Sequence, residues 1–197
     1  MLVPVKAFAD AKARLAVVLG VAERERLARW TAARVLAAAG ELPTYVACDD
    51  EQVAAWAGQH GASILWHPGV GLNAAVNDSV AELRGAGVTN VIVAHGDLPR
   101  AHSLAELTTP GTLTLVPDRH GDGTNVIALP TDLAFHFAYG PGSFRRHLAA
   151  AIDAGHSVRV RRDPLLAADI DTPDDLAHPL VQEVLPAWLQ TNLANQL

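Results

Sequence analysis

The sequence is poor in cysteine, in aromatic residues and in basic charge. Cys48 is the single cysteine among 197 residues, so no disulfide forms within the chain, and a reducing cytoplasmic location is expected. A lone cysteine with scattered histidines also argues against a zinc finger or a thiolate metal site. The net charge of −6 leaves no basic surface for nucleic acid or an anionic membrane. No apolar run approaches the roughly 20 residues that span a bilayer, and the first residues lack the layout of a signal peptide.

Apolar residues are abundant instead. Half of the residues are hydrophobic and 18% are charged, which is typical of a globular protein with a well-buried core. The length predicts one domain over residues 1–197, with a helical tail over about 178–197.

Strand-like and helix-like segments alternate along the first half of the chain. The predicted strands cover residues 2–5, 44–48, 63–66, 91–94, 112–116, 125–129 and 158–160. The predicted helices cover 22–39, a segment carrying Val53 and Trp56, a segment from about 72 to 84, 141–154 and 181–189. Repeated βα units place helices on both faces of a sheet, so we predict an α/β class, a three-layer α/β/α fold with a mostly parallel sheet.

The most informative segment is a buried strand that ends on a carboxylate. Val91 to Ala94 are apolar, Gly96 interrupts the run and Asp97 follows directly. Ligands of open α/β sheets bind beyond the carboxyl ends of the strands, which is where Asp97 is expected. With Asp169 and Asp171 it could form an oxygen-rich site for Mg²⁺ and bound phosphates. The alternative is that Asp97 caps a turn and Asp171 caps the following helix.

A short loop after the first strand concentrates positive charge. Lys6, Lys12 and Arg14 lie within it, and both side-chain types suit a triphosphate. A glycine-rich phosphate loop is missing at this position. The alternative is an ordinary solvated basic turn.

Seven short motifs together resemble the guanylyltransferases of coenzyme F420 biosynthesis. They are Val3-Pro-Val-Lys6, Ala11-Lys-Ala-Arg-Leu15, Gly71-Leu-Asn73, Gly96-Asp-Leu-Pro99, Pro117-Asp-Arg-x-Gly-x-Gly-Thr-Asn125, Tyr139-Gly-Pro-Gly-Ser143 and Asp169-Ile-Asp-Thr-Pro173. Each motif is weak alone, but all seven occur in the family order over almost the whole chain. The resemblance implies a nucleotidyltransferase-like fold and transfer of GMP from GTP to a small phosphorylated three-carbon acid, releasing pyrophosphate.

The resemblance also implies roles for individual residues on the nucleotide side. Lys12, Arg14 and Asp97 are the expected catalytic residues. Lys12 and Arg14 would bind the β- and γ-phosphates with Lys6 close by, and Asn73 would lie near the base.

The acceptor side and the metal follow in the same way. Thr124, Gly140 and Ser143 match positions that hold the acceptor's phosphate, where hydroxyls and backbone N–H groups are suitable donors. The resemblance implies Mg²⁺ as the cofactor, held by the three carboxylates Asp97, Asp169 and Asp171. His95 is interpreted as a buried residue rather than a ligand.

Other functions are open at this stage. One is a nucleotidyltransferase of the same fold acting on a sugar phosphate or on molybdopterin, and another is a non-catalytic nucleotide-binding protein. Phosphoenolpyruvate is favoured over 2-phospho-L-lactate as the acceptor by a narrow margin. Trp30 lies off the apolar face of its helix, and with Trp188 it suggests an exposed surface and a homodimer.

Overall fold

The computed structural model describes residues 1–194 and contains one seven-stranded sheet. Its strands are β1 (Leu2–Pro4), β2 (Tyr45–Cys48), β3 (Ser63–Trp66), β4 (Asn90–Ala94), β5 (Thr112–Pro117), β6 (Thr124–Pro130) and β7 (Ser157–Val160). The spatial order is β3-β2-β1-β4-β6-β5-β7. The two edge strands of the sheet are therefore β3 and β7.

One strand runs against the others. β6 pairs antiparallel with both of its neighbours, β4 and β5, while the other pairings are parallel. The predicted mostly parallel sheet is thus confirmed. Because β6 is reversed, its first residue, Thr124, lies at the edge where β4 and β5 end. The register places Pro117 of β5 opposite Thr124.

Helices cover both faces of this sheet. They are α1 (Val21–Ala37), α2 (Glu51–Gln59), α3 (Gly71–Gly85), α4 (Ser143–Asp153), α5 (Pro173–Ala177), α6 (Pro179–Gln182) and α7 (Ala187–Ala194). Alternate strand residues point to opposite faces, so Ile92 packs in the core beneath α1 and α2, and Val91 in the core beneath α3 and α4. These two cores give the predicted three-layer α/β/α architecture.

A third core joins the C-terminal segment to the body of the protein. Leu15 and Leu27 from the first part of the chain pack there with Ile170, Leu176 and Leu189, which are all almost fully buried. The single tail helix predicted over 181–189 is wrong, because two short helices, α6 and α7, flank Pro186. Proline lacks a backbone N–H and begins a helix more readily than it continues one. Residues 195–197 of the predicted tail lie outside the described residues.

No helix in residues 1–194 combines the length and the apolar character that crossing a membrane requires.

Leu189→Ala tests whether the terminal helix is part of the folded body. Leu189 is fully buried, so the change should lower the free energy of unfolding by about 2–5 kcal/mol, measured by urea denaturation. Val17 is 79% exposed, and Val17→Ala should change it by less than about 0.5 kcal/mol. Equal small effects of both substitutions would show that α7 contributes nothing to the fold.

Candidate active site

A cavity of about 500 Å³ opens at the carboxyl edge of the sheet. Its wall is formed by the ends of β1, β2 and β4 and by the first turn of α3. Lys6 and Lys12, the only lysines of the sequence, both line it together with Asp97 and Asp171. The fold therefore brings the predicted basic loop and two of the predicted carboxylates into one place.

Lys12 is the centre of the charged cluster. Its ammonium donates to Asp97 Oδ2 at 3.1 Å and lies 3.8 Å from Asp171 Oδ1, and its side chain is only 7% exposed. The residue has a φ of 56°, in the left-handed region that non-glycine residues rarely adopt. Strained backbone of this kind is maintained only where the surroundings fix it, and here it aims the side chain at the carboxylates.

Asp97 is kept ionised by that contact. Burial raises the pKa of the carboxyl, but the positive charge and the hydrogen bond of Lys12 outweigh this and hold the pKa below its usual value. Its second oxygen, Oδ1, is buried and has no hydrogen-bond partner within residues 1–194. A buried carboxylate oxygen without a partner is available to a cation or a ligand donor.

Asp169 lies close enough to Asp97 for the two carboxylates to repel each other. The backbone N–H of Ile170 donates to the carbonyl of Asp97 at 3.2 Å, which joins the two segments. Burial, followed by the charge of Asp97, raises the pKa of Asp169 to about 7. Without an added positive charge, Asp169 is therefore only partly ionised at neutral pH.

Asp171 is bound by two basic residues. Arg14 Nη1 donates to its Oδ2 at 3.1 Å, with the Arg14 side chain 71% exposed, and Lys12 approaches its other oxygen. The alternative role of Asp171 as a helix cap is wrong, because Thr172 is the N-cap of α5 and accepts from the Asp175 N–H. Asp171 is thus free to face the cavity.

The loop that carries Asp171 is held by a residue that the sequence analysis missed. Asp175 is 4% exposed, and its Oδ2 accepts from the N–H groups of Asp171 and Thr172 at 2.9 and 2.6 Å. Its Oδ1 pairs with Arg119 at 2.5 Å, in the loop before Thr124. The sequence carries a signal for this role, because Thr172 is followed three residues later by the acidic Asp175, which is the spacing of a capping box.

The three carboxylates do not form a complete metal site on their own. Within residues 1–194, no three side chains of His, Cys, Asp or Glu are arranged to hold a metal ion, so the expected three-carboxylate site is not preformed. Mg²⁺ is nevertheless commonly bound through one or two carboxylates, with substrate phosphates supplying further oxygens. Two observations fit a cation that enters together with a nucleotide. Asp97 has an oxygen without a hydrogen-bond partner among the described residues, and the raised pKa of Asp169 shows that a positive charge is lacking beside it.

The predicted acceptor residues form a second cluster beside the cavity. Thr124 and Ser143 are 2% and 1% exposed, and their hydroxyl oxygens lie 3.5 Å apart. Gly140, by contrast, is exposed. Both hydroxyls thus point into the protein, and the accessible groups of this cluster belong to the turn at 140–142.

The side chain of Asn73, predicted to lie near the base, binds the backbone of Tyr139. Its Oδ1 accepts from the Tyr139 N–H at 2.7 Å, and its Nδ2 donates to the Tyr139 carbonyl at 3.3 Å. Because this pairing uses both ends of the amide, the structure lends no support to recognition of a guanine edge by Asn73. The side chain instead fixes the turn that leads to Gly140.

The two tryptophans that suggested a homodimer pack within the chain. Trp30 and Trp188 are partly buried against the third core, beneath the C-terminal helices. The guanidinium of Arg26 lies 4.4 Å from the centre of the Trp188 ring, and that of Arg34 lies 5.3 Å from the centre of the Trp30 ring. Trp30 is therefore partly buried rather than fully exposed, and its place in a homodimer interface stays a prediction.

The chain is similar to known proteins over most of its length. The model of the guanylyl transferase CofC-like family matches residues 1–183. The phosphoenolpyruvate guanylyltransferase of Sphaerobacter thermophilus is 36% identical over 183 residues, which are 88% of each chain. That of Conexibacter woesei is 37% identical over 187 residues, 89% of this chain and 84% of the relative.

A solved structure supports the fold. A protein of Desulfovibrio desulfuricans G20, described as a nucleotide-diphospho-sugar transferase, superposes with a TM-score of 0.73 at 17% identity. The match covers 98% of this chain and 91% of that protein. At this identity the likeness concerns the fold, and it confirms the predicted nucleotidyltransferase-like architecture.

Asp169→Asn tests the repulsion between carboxylates. Folding raises the pKa of Asp169 from 3.8 to about 7, so the folded protein holds the proton more tightly than the unfolded chain does. The stability that comes from this tighter proton binding is fully present below pH 3.8 and is lost as the pH rises through 7. Between about pH 5.5 and 8, in EDTA, the free energy of unfolding of the wild type should fall relative to that of Asp169→Asn. Over this pH range the free energy of unfolding of the wild type should fall by at least about 1 kcal/mol more than that of the variant, since one pKa unit corresponds to about 1.4 kcal/mol.

Asp174→Asn removes the same charge from an exposed neighbour and should follow the wild-type pH dependence. Identical pH profiles for the wild type and Asp169→Asn, measured by urea denaturation, would contradict the repulsion.

Proposed function

The chain belongs to the guanylyl transferase CofC-like family, and from this premise we propose that it transfers GMP from GTP to phosphoenolpyruvate in coenzyme F420 biosynthesis. The observation that carries the proposal is the cavity at the sheet edge, where Lys12 lies between Asp97 and Asp171. The acceptor is proposed from the relatives named phosphoenolpyruvate guanylyltransferase. 2-Phospho-L-lactate shares its phosphate and carboxylate and is the nearest alternative.

The reaction requires the chain to bring two polyanions together. An oxygen of the acceptor's phosphate attacks the α-phosphorus of GTP, the new P–O bond forms, and the bond to the bridging oxygen breaks as pyrophosphate leaves. The second pKa of a phosphate monoester is about 6, so the attacking group is largely dianionic and needs no general base. The protein mainly supplies position and positive charge.

We assign the positive charge to the basic loop. Lys12 and Arg14, which are paired with carboxylates in the free protein, turn to the β- and γ-phosphates when GTP enters. Lys6 forms no ion pair within the part of the chain described and lines the same cavity, so it is available to the nucleotide. Cationic donors placed beside the β- and γ-phosphates stabilise charge that develops on the leaving group.

We propose Asp97 and Asp169 as ligands of Mg²⁺ carried in with the nucleotide, with Asp171 beside them. When bound, the cation acts as a Lewis acid and neutralises charge on the phosphate oxygens.

The proposed location is the cytoplasm, because the sequence has one cysteine and forms no disulfide within the chain. A homodimer is not part of the proposal, since both tryptophans that suggested one are partly buried against the third core of the same chain.

A direct assay tests the function. The protein is incubated with GTP and Mg²⁺ and, separately, with phosphoenolpyruvate, 2-phospho-L-lactate or 3-phosphoglycerate, and products are identified by mass together with released pyrophosphate. Conjugation of GMP to phosphoenolpyruvate is expected, and Asp97→Asn should reduce the rate by at least about a hundredfold, the effect of losing several kcal/mol of charge stabilisation. Absence of a GMP conjugate with all three acids would overturn the proposal.

Lys12→Ala tests the assignment of the basic loop. The loss of a charge-assisted contact to the triphosphate should lower kcat/KM for GTP about ten- to a hundredfold, while the KM for the acid changes little. Arg84→Ala removes an exposed positive charge from the last turn of α3, at the opposite edge of the sheet, and should leave both values unchanged. If the KM for the acid rises and that for GTP does not, the two ligands have been assigned to the wrong loops.

A further inference from the structure

One buried imidazole connects the two segments of the acceptor cluster. His147 lies on α4 and is fully buried. Its Nδ1 is 3.0 Å from Thr124 Oγ1, at the end of the 118–123 loop. Its Nε2 is 2.8 Å from the backbone nitrogen of Ala138, which leads into the turn at 140–142. The imidazole therefore bridges two segments that are distant from each other in sequence.

The hydrogen bonds define the tautomer. A backbone N–H only donates, so Ala138 donates and Nε2 accepts with its lone pair. The proton of the neutral ring is then on Nδ1, which donates to the oxygen of Thr124. Burial, followed by the positive charge of Arg146, lowers the pKa of His147 to about 4, so this state persists at neutral pH.

The segments that His147 joins lie beside the nucleotide cavity. The ring of Tyr139 packs between two histidines, with its centre 5.1 Å from that of His147 and 4.7 Å from that of His95. His95 lines the cavity next to Asp97. A shift of the imidazole would therefore move the wall between the nucleotide and the proposed acceptor site.

A further bond crosses between the same segments. Asp122 Oδ2, in the 118–123 loop, accepts from the Gly142 N–H at 2.9 Å. This contact is exposed, whereas the His147–Thr124 bond is buried and the His147–Ala138 bond is partly buried. Buried hydrogen bonds position groups more firmly because no solvent competes for them.

We propose that His147 is a positioning residue of this enzyme, which sets the spacing between the Thr124 loop and the 138–142 turn and so determines how tightly the phosphorylated acid binds. The proposal rests on the proposed function. His147 does not touch the substrate. It acts through Thr124 and through the backbone of Ala138.

Two polar substitutions separate the two bonds. In His147→Gln the side-chain oxygen reaches the place of Nε2 and accepts from Ala138, while the donor to Thr124 is lost. In His147→Asn the amide nitrogen occupies the place of Nδ1 and donates to Thr124, while the acceptor for Ala138 is lost. His147→Phe removes both bonds and keeps a planar ring.

The readout is the KM for each substrate, measured by pyrophosphate release. His147→Phe should raise the KM for phosphoenolpyruvate about tenfold, and each polar variant should raise it less, as expected for one buried hydrogen bond. The KM for GTP should stay within about twofold. On a Thr124→Val background, His147→Gln should add little, because the bond it removes is already absent.

The control is a buried hydroxyl at the opposite edge of the sheet. Thr131 is 6% exposed and donates to the carbonyl of Val88. Thr131→Val should lower Tm as the His147 variants do, without changing either KM. A loss of stability alone is therefore not expected to raise the KM for phosphoenolpyruvate.

The outcomes are distinct. If the wild type forms no GMP conjugate with any of the three acids, the proposed function fails. If the wild type is active and the His147 variants keep the KM for the acid, or raise both KM values together, the positioning role is overturned. A selective rise for the acid that is non-additive with Thr124→Val supports it.

Discussion

The repulsion among carboxylates at the end of β4 is the constraint on which the site depends. Asp97 and Asp169 lie in a partly buried position where two negative charges are unfavourable together, as the raised pKa of Asp169 shows. Lys12 compensates part of this charge and adopts a left-handed backbone to do so. Under the proposed function, binding of a nucleotide with its cation would be an exchange, in which one positive charge replaces another beside the same carboxylates.

The direction of strand β6 determines where the predicted acceptor residue Thr124 lies. In a wholly parallel sheet the residue that begins a strand lies at the edge opposite to the site. β6 is antiparallel to β4 and β5, so Thr124 begins its strand at the same edge at which Asp97 follows β4. Asp175 then connects the loop that carries Asp171 with the loop that precedes Thr124. Its carboxylate accepts from the Asp171 N–H and forms an ion pair with Arg119 of the 118–123 loop.

Strand and helix periodicity predicted the layers of the fold, and seven motifs in order predicted the family, which the family comparison confirms. What the sequence did not predict depends on long-range contacts. His147 has no local signal, because its partners become neighbours only when α4 packs on the sheet. The family resemblance implies a place for Asn73 near the base, but only the structure shows that its amide pairs with a backbone 66 residues away. Pro186 is a local signal, since it divides the tail into two short helices.

The only thiol of the chain provides a built-in reporter of the cavity. Cys48 ends β2, is 4% exposed and lines the space that we assign to the nucleotide. Burial raises the pKa of this thiol, so it is protonated at neutral pH and reacts slowly. Because the sequence has no second cysteine, a thiol-directed fluorophore attaches to one defined position without any prior mutagenesis. Its rate of attachment then reports how accessible this wall of the cavity is in solution, with and without an added nucleotide.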